Sequence, residues 1–193
     1  MDKKDLKKSI RIELMRNKIE MMDLKWIFQI TLLAFLISII FSLLSESFIP
    51  KASIIISILV LIIFILIGII FDMIGVAVQN ASEVPFHSMN SRKIKGAKMA
   101  IKLKKNADKT STFCNDVIGD ICGIISGTTG SIIAIKLALK FELDEFWFIL
   151  TITGLISALT IGGKAIGKSV AINRSNYILY NFSKFITNFV KKK

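Results

Sequence analysis

The residues of this chain that can do chemistry are a few oxygens and one ammonium set within or beside apolar stretches. Asp72, Gln79 and Glu83 fall at i, i+7 and i+11, the spacing of one face of a helix that runs on unbroken. Asp116 and Asp120 are i, i+4 with Asn115 adjacent, and Lys164 closes a later apolar run. A charged side chain at the centre of a membrane helix costs about 2.5–3.5 kcal/mol, so each needs a partner or a task. Oxygens converging at one depth make a hard-cation site of the type Mg²⁺ prefers. The competing arrangement has Lys164 neutralise one acid while the others reach water along their stems.

Other chemistries are poorly served. His87 is the single histidine, so no zinc site built on several histidines can be assembled within one chain, and no nucleophile-base pair is visible, so enzyme activity is not expected. Cys114 and Cys122 lie eight residues apart, about 12 Å along one helix at ~1.5 Å per residue, which rules out a disulfide and leaves them as small packing residues. The segment GGKAIGKS, Gly162 to Ser169, satisfies the phosphate-loop pattern GxxxxGK[ST], and ILIGIIFD ending at Asp72 mimics its acidic partner strand. That loop works only between a strand and a helix of an α/β sheet. Both stretches here end long apolar runs, and no alternation of strands and helices surrounds them, so no nucleotide is expected.

The elements that must position these residues are membrane spans. Of 193 residues, 53% are hydrophobic and the mean hydropathy is +0.63, yet Lys and Arg number 26 against 14 Asp and Glu. Apolar residues and charges are therefore segregated along the chain, which excludes disorder and disfavours a soluble fold. Residues 26–44 and 52–71 carry no charge and are long enough for a hydrocarbon core about 30 Å thick. Residues 113–139 and 146–166 are two further spans, polar enough to need protein neighbours, the last opening on Phe146, Trp147 and Phe148. The fold class expected is an all-α integral membrane protein with four transmembrane helices and basic amphipathic helices beside the membrane. Its parts are a basic N-terminal helix over 1–25, a transmembrane domain over 26–167 with a basic helical segment at 84–112, and an amphipathic basic tail over 168–193.

Charge placement then gives orientation. Eight Lys or Arg precede residue 26, eight lie within 84–112 and seven follow residue 161, so 23 of 26 belong to one face. Both termini are expected in the cytoplasm of a multi-pass protein of the plasma membrane. The basicity is topological, the bilayer is the expected partner, and nucleic acid is not. The N-terminal region is too long and too acidic for a cleavable signal. The stretch SRKIKGAKMAIKLKKNADK reads as one basic helix along the membrane surface, or as an ordinary inside-positive loop with phospholipid contacts. Gly119, Gly123 and Gly127 form GxxxGxxxG, a smooth stripe for close helix contact.

Residues Asn80 to Leu137 carry a family likeness. NASEVP, Asn80 to Pro85, is similar to the S-A-S-E-x-A motif that ends a span in the CorB/CorC/cyclin M magnesium transporters. GAKMAIKLKKNADK, with Asn106, Ala107, Asp108 and Lys109, resembles the basic helix-turn-helix and N-P-D-R element that follows there. GKAIGK, Gly163 to Lys168, resembles the family's G-E-V-I-P-K. The likeness covers roughly residues 60–190, with one added N-terminal span. It implies a homodimer that binds or transports a divalent cation, Mg²⁺ foremost, with no other cofactor. Asn80, Ser82, Glu83, Asn115, Asp116 and Asp120 would supply the oxygens. The family's metal-binding glutamate aligns with Lys164, a reversal of charge, and its proline with Gly167. The CBS pair that brings nucleotide control in that family has no counterpart in these residues, so such control is not implied. The alternative is a non-transporting membrane scaffold or regulator in which Lys164 replaces the bound cation.

Overall fold

The computed structural model describes residues 3–142 and 144–190, with side chains from residue 24 to residue 189 apart from residue 143. The described residues are helical, and no strand occurs among them. Helix α1 is Lys3–Phe48, α2 Ile54–Asn80, α3 Val84–Ser91, α4 Ala97–Lys105 and α5 Ala107–Thr112. A seven-residue π-helical stretch, Phe113–Gly119, joins α5 to α6, Asp120–Phe141; α7 is Glu145–Asn173 and α8 Ser175–Val190. Four helical stretches among the described residues are long and apolar enough to cross a membrane: Leu24–Lys51, Ile54–Asn80, Ala107–Phe141 and Glu145–Asn173. The protein is an all-α membrane protein of the expected class.

The chain divides into two units, residues 1–39 and 40–193. The first is the long N-terminal part of α1, which runs through the expected boundary at residue 25 without a break. In the second, the span helices turn apolar side chains outward, Ile55 and Ile166 being 79% and 70% exposed, as helices bathed in lipid do. The third span is the most enclosed of the four. Leu61, Ile133 and Ile156 pack where α2, α6 and α7 meet. A second cluster, Ile74, Val78, Ala81, Phe86, Ala100, Cys114 and Leu179, draws the end of α2 together with α3, α4, the π stretch and α8.

Lysines cap two stretches of backbone that would otherwise leave bare carbonyls. At the turn between α1 and α2, Lys136 Nζ donates to the carbonyls of Ile49 and Ala52, both at 2.7 Å. At the C-terminus of α2, Lys104 Nζ donates to the carbonyls of Val78 and Gln79 at 3.2 and 2.7 Å. A cation at a helix C-terminus satisfies orphan acceptors and opposes the negative end of the dipole.

Three details differ from the sequence expectation. α2 does not run through Glu83; it ends at Asn80, and Pro85 opens the first turn of α3. Asp72 is therefore buried, Gln79 exposed, and Glu83 precedes a separate helix, so the three do not share one face. The basic segment is three short helices rather than one, because Gly96 is left-handed at φ 92° and Asn106 breaks α4 from α5. α7 continues to Asn173, so the C-terminal amphipathic helix begins at Ser175 rather than at residue 168.

Candidate cation site

Helix α2 reaches its neighbours through small residues. Gly68, Asp72 and Gly75 are i, i+4 and i+7, one face of the helix. A Cβ at Gly68 would stand 3.2 Å from Cys122 Cβ and 3.7 Å from the Gly119 carbonyl, so two backbones pass closely there. At Gly75 a Cβ would collide with the side-chain amide of Asn115. Gly163 and Gly167 give α7 the same access from the other side, seating Ile69 and Met73 of α2. A side chain at Gly75 or Gly163 would have to displace Asn115 or Ile69.

Between these contacts lies Asp72, 4% exposed. Its Oδ2 has no hydrogen-bond partner among the described residues and is met only by Lys168 Nζ, at 3.7 Å, within ion-pair range but too long for a hydrogen bond. One turn further along α2, over Gly75, Asn115 donates its amide to Ser111 Oγ at 3.3 Å while its Oδ1 is sealed from solvent without a donor. Asn115 belongs to the π stretch, and such bulges occur often at functional sites. Lys164 approaches from α7, its Nζ 3.9 Å from Asp120 Oδ1 and 3.5 Å from the Gly119 carbonyl. Two buried oxygens that lack donors thus sit on one helix contact, with two ammonium groups at its edge. An orphaned buried oxygen costs about 1–3 kcal/mol, which a cation or an ordered water would recover.

The remaining expected ligands lie elsewhere or are engaged. Asn80 turns back on its own helix, donating to the Val76 carbonyl at 2.8 Å. Ser82 is exposed, and its backbone N–H donates to Asn176 Oδ1 of α8 at 2.9 Å. Glu83 pairs with His87 at 3.5 Å on the surface of α3. Asp116 is exposed, and Asp120 is 70% exposed apart from its contact with Lys164. No group of three or more His, Cys, Asp and Glu suited to a metal ion exists among the described residues. Of the Asn80–Glu83 set, Asn80 and Glu83 end in contacts within one helical turn and Ser82 in a contact with α8. Asp120 and Lys164, by contrast, face each other beside Gly119, and Asn115 packs against Gly75 of α2. Asp72 and Lys168 join α2 to α7. Their pairing spans 96 residues of sequence, so only the burial of Asp72 in an apolar run announced it.

No family model, curated protein or solved structure matches this chain. The phosphate-loop lookalike at Gly162–Ser169 lies wholly inside α7, its backbone in the helix rather than in a loop that faces an anion. A Cβ at Gly123 or Gly127 would meet nothing of the chain within 4 Å, so of the GxxxGxxxG stripe only Gly119 takes part in packing among the described residues.

Proposed function

We propose that this protein binds a divalent cation, Mg²⁺ foremost, at the junction of α2, the π stretch and α7, and moves it across the plasma membrane. The observation that carries the reading is the pair of buried, donor-free oxygens, Asp72 Oδ2 and Asn115 Oδ1. They are hard donors, the kind Mg²⁺ selects. The likeness of NASEVP, the Asn106–Lys109 element and GKAIGK to the CorB/CorC/cyclin M transporters supports the same class. The concentration of basic residues at one face supports cytoplasmic termini. A homodimer fits that likeness, and Gly123 and Gly127 leave room for another helix.

A second reading has one observation in its favour. Lys164 already places an ammonium against Asp120 and the Gly119 carbonyl, in the position of the family's acidic ligand. Protonated lysine cannot ligate a metal, and its charge opposes a nearby divalent ion. In this reading the lysine substitutes for the cation, and the protein is a scaffold that keeps the fold without transport.

Flux separates the two. Full-length protein reconstituted in vesicles that enclose a Mg²⁺-sensitive dye should admit Mg²⁺ faster than empty vesicles, and Asn115→Ala should remove the excess. Flux indistinguishable from empty vesicles, with the protein folded and correctly inserted, rejects transport and favours the scaffold.

A further inference from the structure

The basic end of the protein contains a groove that the cation site does not use. It encloses about 850 Å³ between the segment joining α3 to α4, α4 itself and Thr187 of α8. Five lysines line it: Lys93, Lys95, Lys98, Lys102 and Lys105. No acidic residue lines it, and none of the five has an ion pair with a described residue. Ile94, Met99 and Ile101 provide an apolar lining beside the charges.

The groove has fixed walls. Gly96 is left-handed at φ 92°, and a Cβ there would stand 3.0 Å from Lys184 Cα and 3.1 Å from Lys184 N, so the turn is clamped against the backbone of α8. Lys93, at φ 56°, adds a second left-handed residue to the same turn. α4 buries Ala97 and Ala100 and points Lys98 and Lys102, one turn apart, outward. α8 buries Leu179 and Ser183 while exposing Tyr177, Phe185 and Phe189, the pattern of a helix lying in a membrane interface. Five like charges gathered in one place repel one another unless anions offset them. A basic pocket bordered by apolar surface, at the end of a set of membrane spans, is matched in charge and depth by a lipid headgroup. A single phosphodiester brings one negative charge, too little for five ammonium groups.

We propose that this groove is a specific site for an anionic phospholipid whose headgroup carries two phosphates. The phosphates lie among Lys98, Lys102 and their neighbours, and acyl chains run along the apolar lining toward the exposed aromatic face of α8. This site is independent of the cation reading and survives its failure.

The test uses the full-length protein, purified in detergent, stripped of lipid and titrated with diphosphatidylglycerol, phosphatidylglycerol or phosphatidylcholine while bound lipid is counted by native mass spectrometry. Diphosphatidylglycerol should half-saturate at least about tenfold below phosphatidylglycerol, with phosphatidylcholine weaker still. Lys98→Gln with Lys102→Gln should weaken diphosphatidylglycerol roughly 10- to 30-fold, at about one order of magnitude or less per charge. The charge-matched double variant Lys25→Gln with Arg174→Gln, basic residues outside the groove lining, should weaken it less than about threefold. Equal losses in the two double variants would show diffuse attraction to a basic surface and overturn the proposal. So would tight binding of inorganic pyrophosphate that the Lys98, Lys102 variant abolishes, which would assign the groove to a water-soluble phosphate compound.

Discussion

Lys164→Glu should make the stability of this protein depend more strongly on Mg²⁺ than that of the wild type. The substitution replaces an ammonium 3.9 Å from Asp120 Oδ1 with a second carboxylate. Two like charges about 4 Å apart repel by up to ~4 kcal/mol at an effective dielectric near 20. Asp120 is 70% exposed, so solvent screens most of that, and a loss of about 1 kcal/mol is expected in metal-free buffer. The paired carboxylates then form a hard-oxygen site beside the Gly119 carbonyl that Lys164 now occupies. Mg²⁺ at a hundred times its dissociation constant should return about 2.7 kcal/mol, more than the loss. Lys164→Gln is the control: it removes the ammonium without adding a carboxylate, and should gain little from Mg²⁺ beyond the wild-type response. Thermal unfolding of the three proteins in one detergent, with and without Mg²⁺, reads the effect. If Lys164→Glu changes neither the metal-free stability nor the response to Mg²⁺, Lys164 lies outside the site.

Lys168→Met should be the most damaging single change at the junction. Asp72 is almost wholly buried in an apolar helix, and Lys168 is the cation that meets it. Removing one partner of a buried pair costs about 3–5 kcal/mol because the other charge is stranded. The Lys168 side chain is itself 51% exposed, so water reaches part of the pair and about 1–3 kcal/mol is the expected loss. Combining Lys168→Met with Asp72→Asn removes the stranded charge and should recover most of it, giving a coupling above about 0.5 kcal/mol between the two positions. Denaturant unfolding of the two single variants and the double variant measures this. A neutral Lys168→Met, or effects that simply add, would mean that the 3.7 Å contact does not stabilise the fold.

What could be read from the sequence follows from which forces are local. The charge-free runs at 26–44 and 52–71 became spans because a stretch of Ile and Leu without charge has nowhere else to go. Their ends were harder to place. Hydropathy marks where lipid contact stops, whereas α2 continues to Asn80, nine residues beyond Phe71, because neither Asp72 nor Gln79 breaks a helix. The break comes at Asn80 to Pro85, and it separates Glu83 from the face it was expected to share with Asp72. Gly96 divided a basic stretch expected as one helix, since a left-handed residue interrupts α-helical hydrogen bonding even among good helix formers.

The polar residues of the spans were legible in the sequence; their partners were not. Asn115, Asp120 and Lys164 were visible as polar residues in apolar surroundings; Lys164 lies 3.9 Å from Asp120, while Asn115 packs against Gly75. Asn80, Ser82 and Glu83 were grouped with them on a motif likeness, while their observed partners are Val76, Asn176 and His87. Lys104, Lys136 and Lys168 find partners 25 to 96 residues away in sequence. No periodicity encodes such pairings; they depend on how the helices pack. The seven-residue π stretch that carries Asn115 against Gly75 likewise had no counterpart in the expected pattern of 113–139.

The proposed function rests on the donor-free oxygens of Asp72 and Asn115. The most direct measurement is a Mg²⁺ titration of the unfolding temperature of the purified wild-type protein, run beside Asn115→Ala at constant ionic strength. A saturable rise in the wild type that Na⁺ does not reproduce, and that Asn115→Ala loses, is the predicted result. A wild-type curve that is flat up to tens of millimolar Mg²⁺, or a rise that Asn115→Ala retains in full, would contradict it.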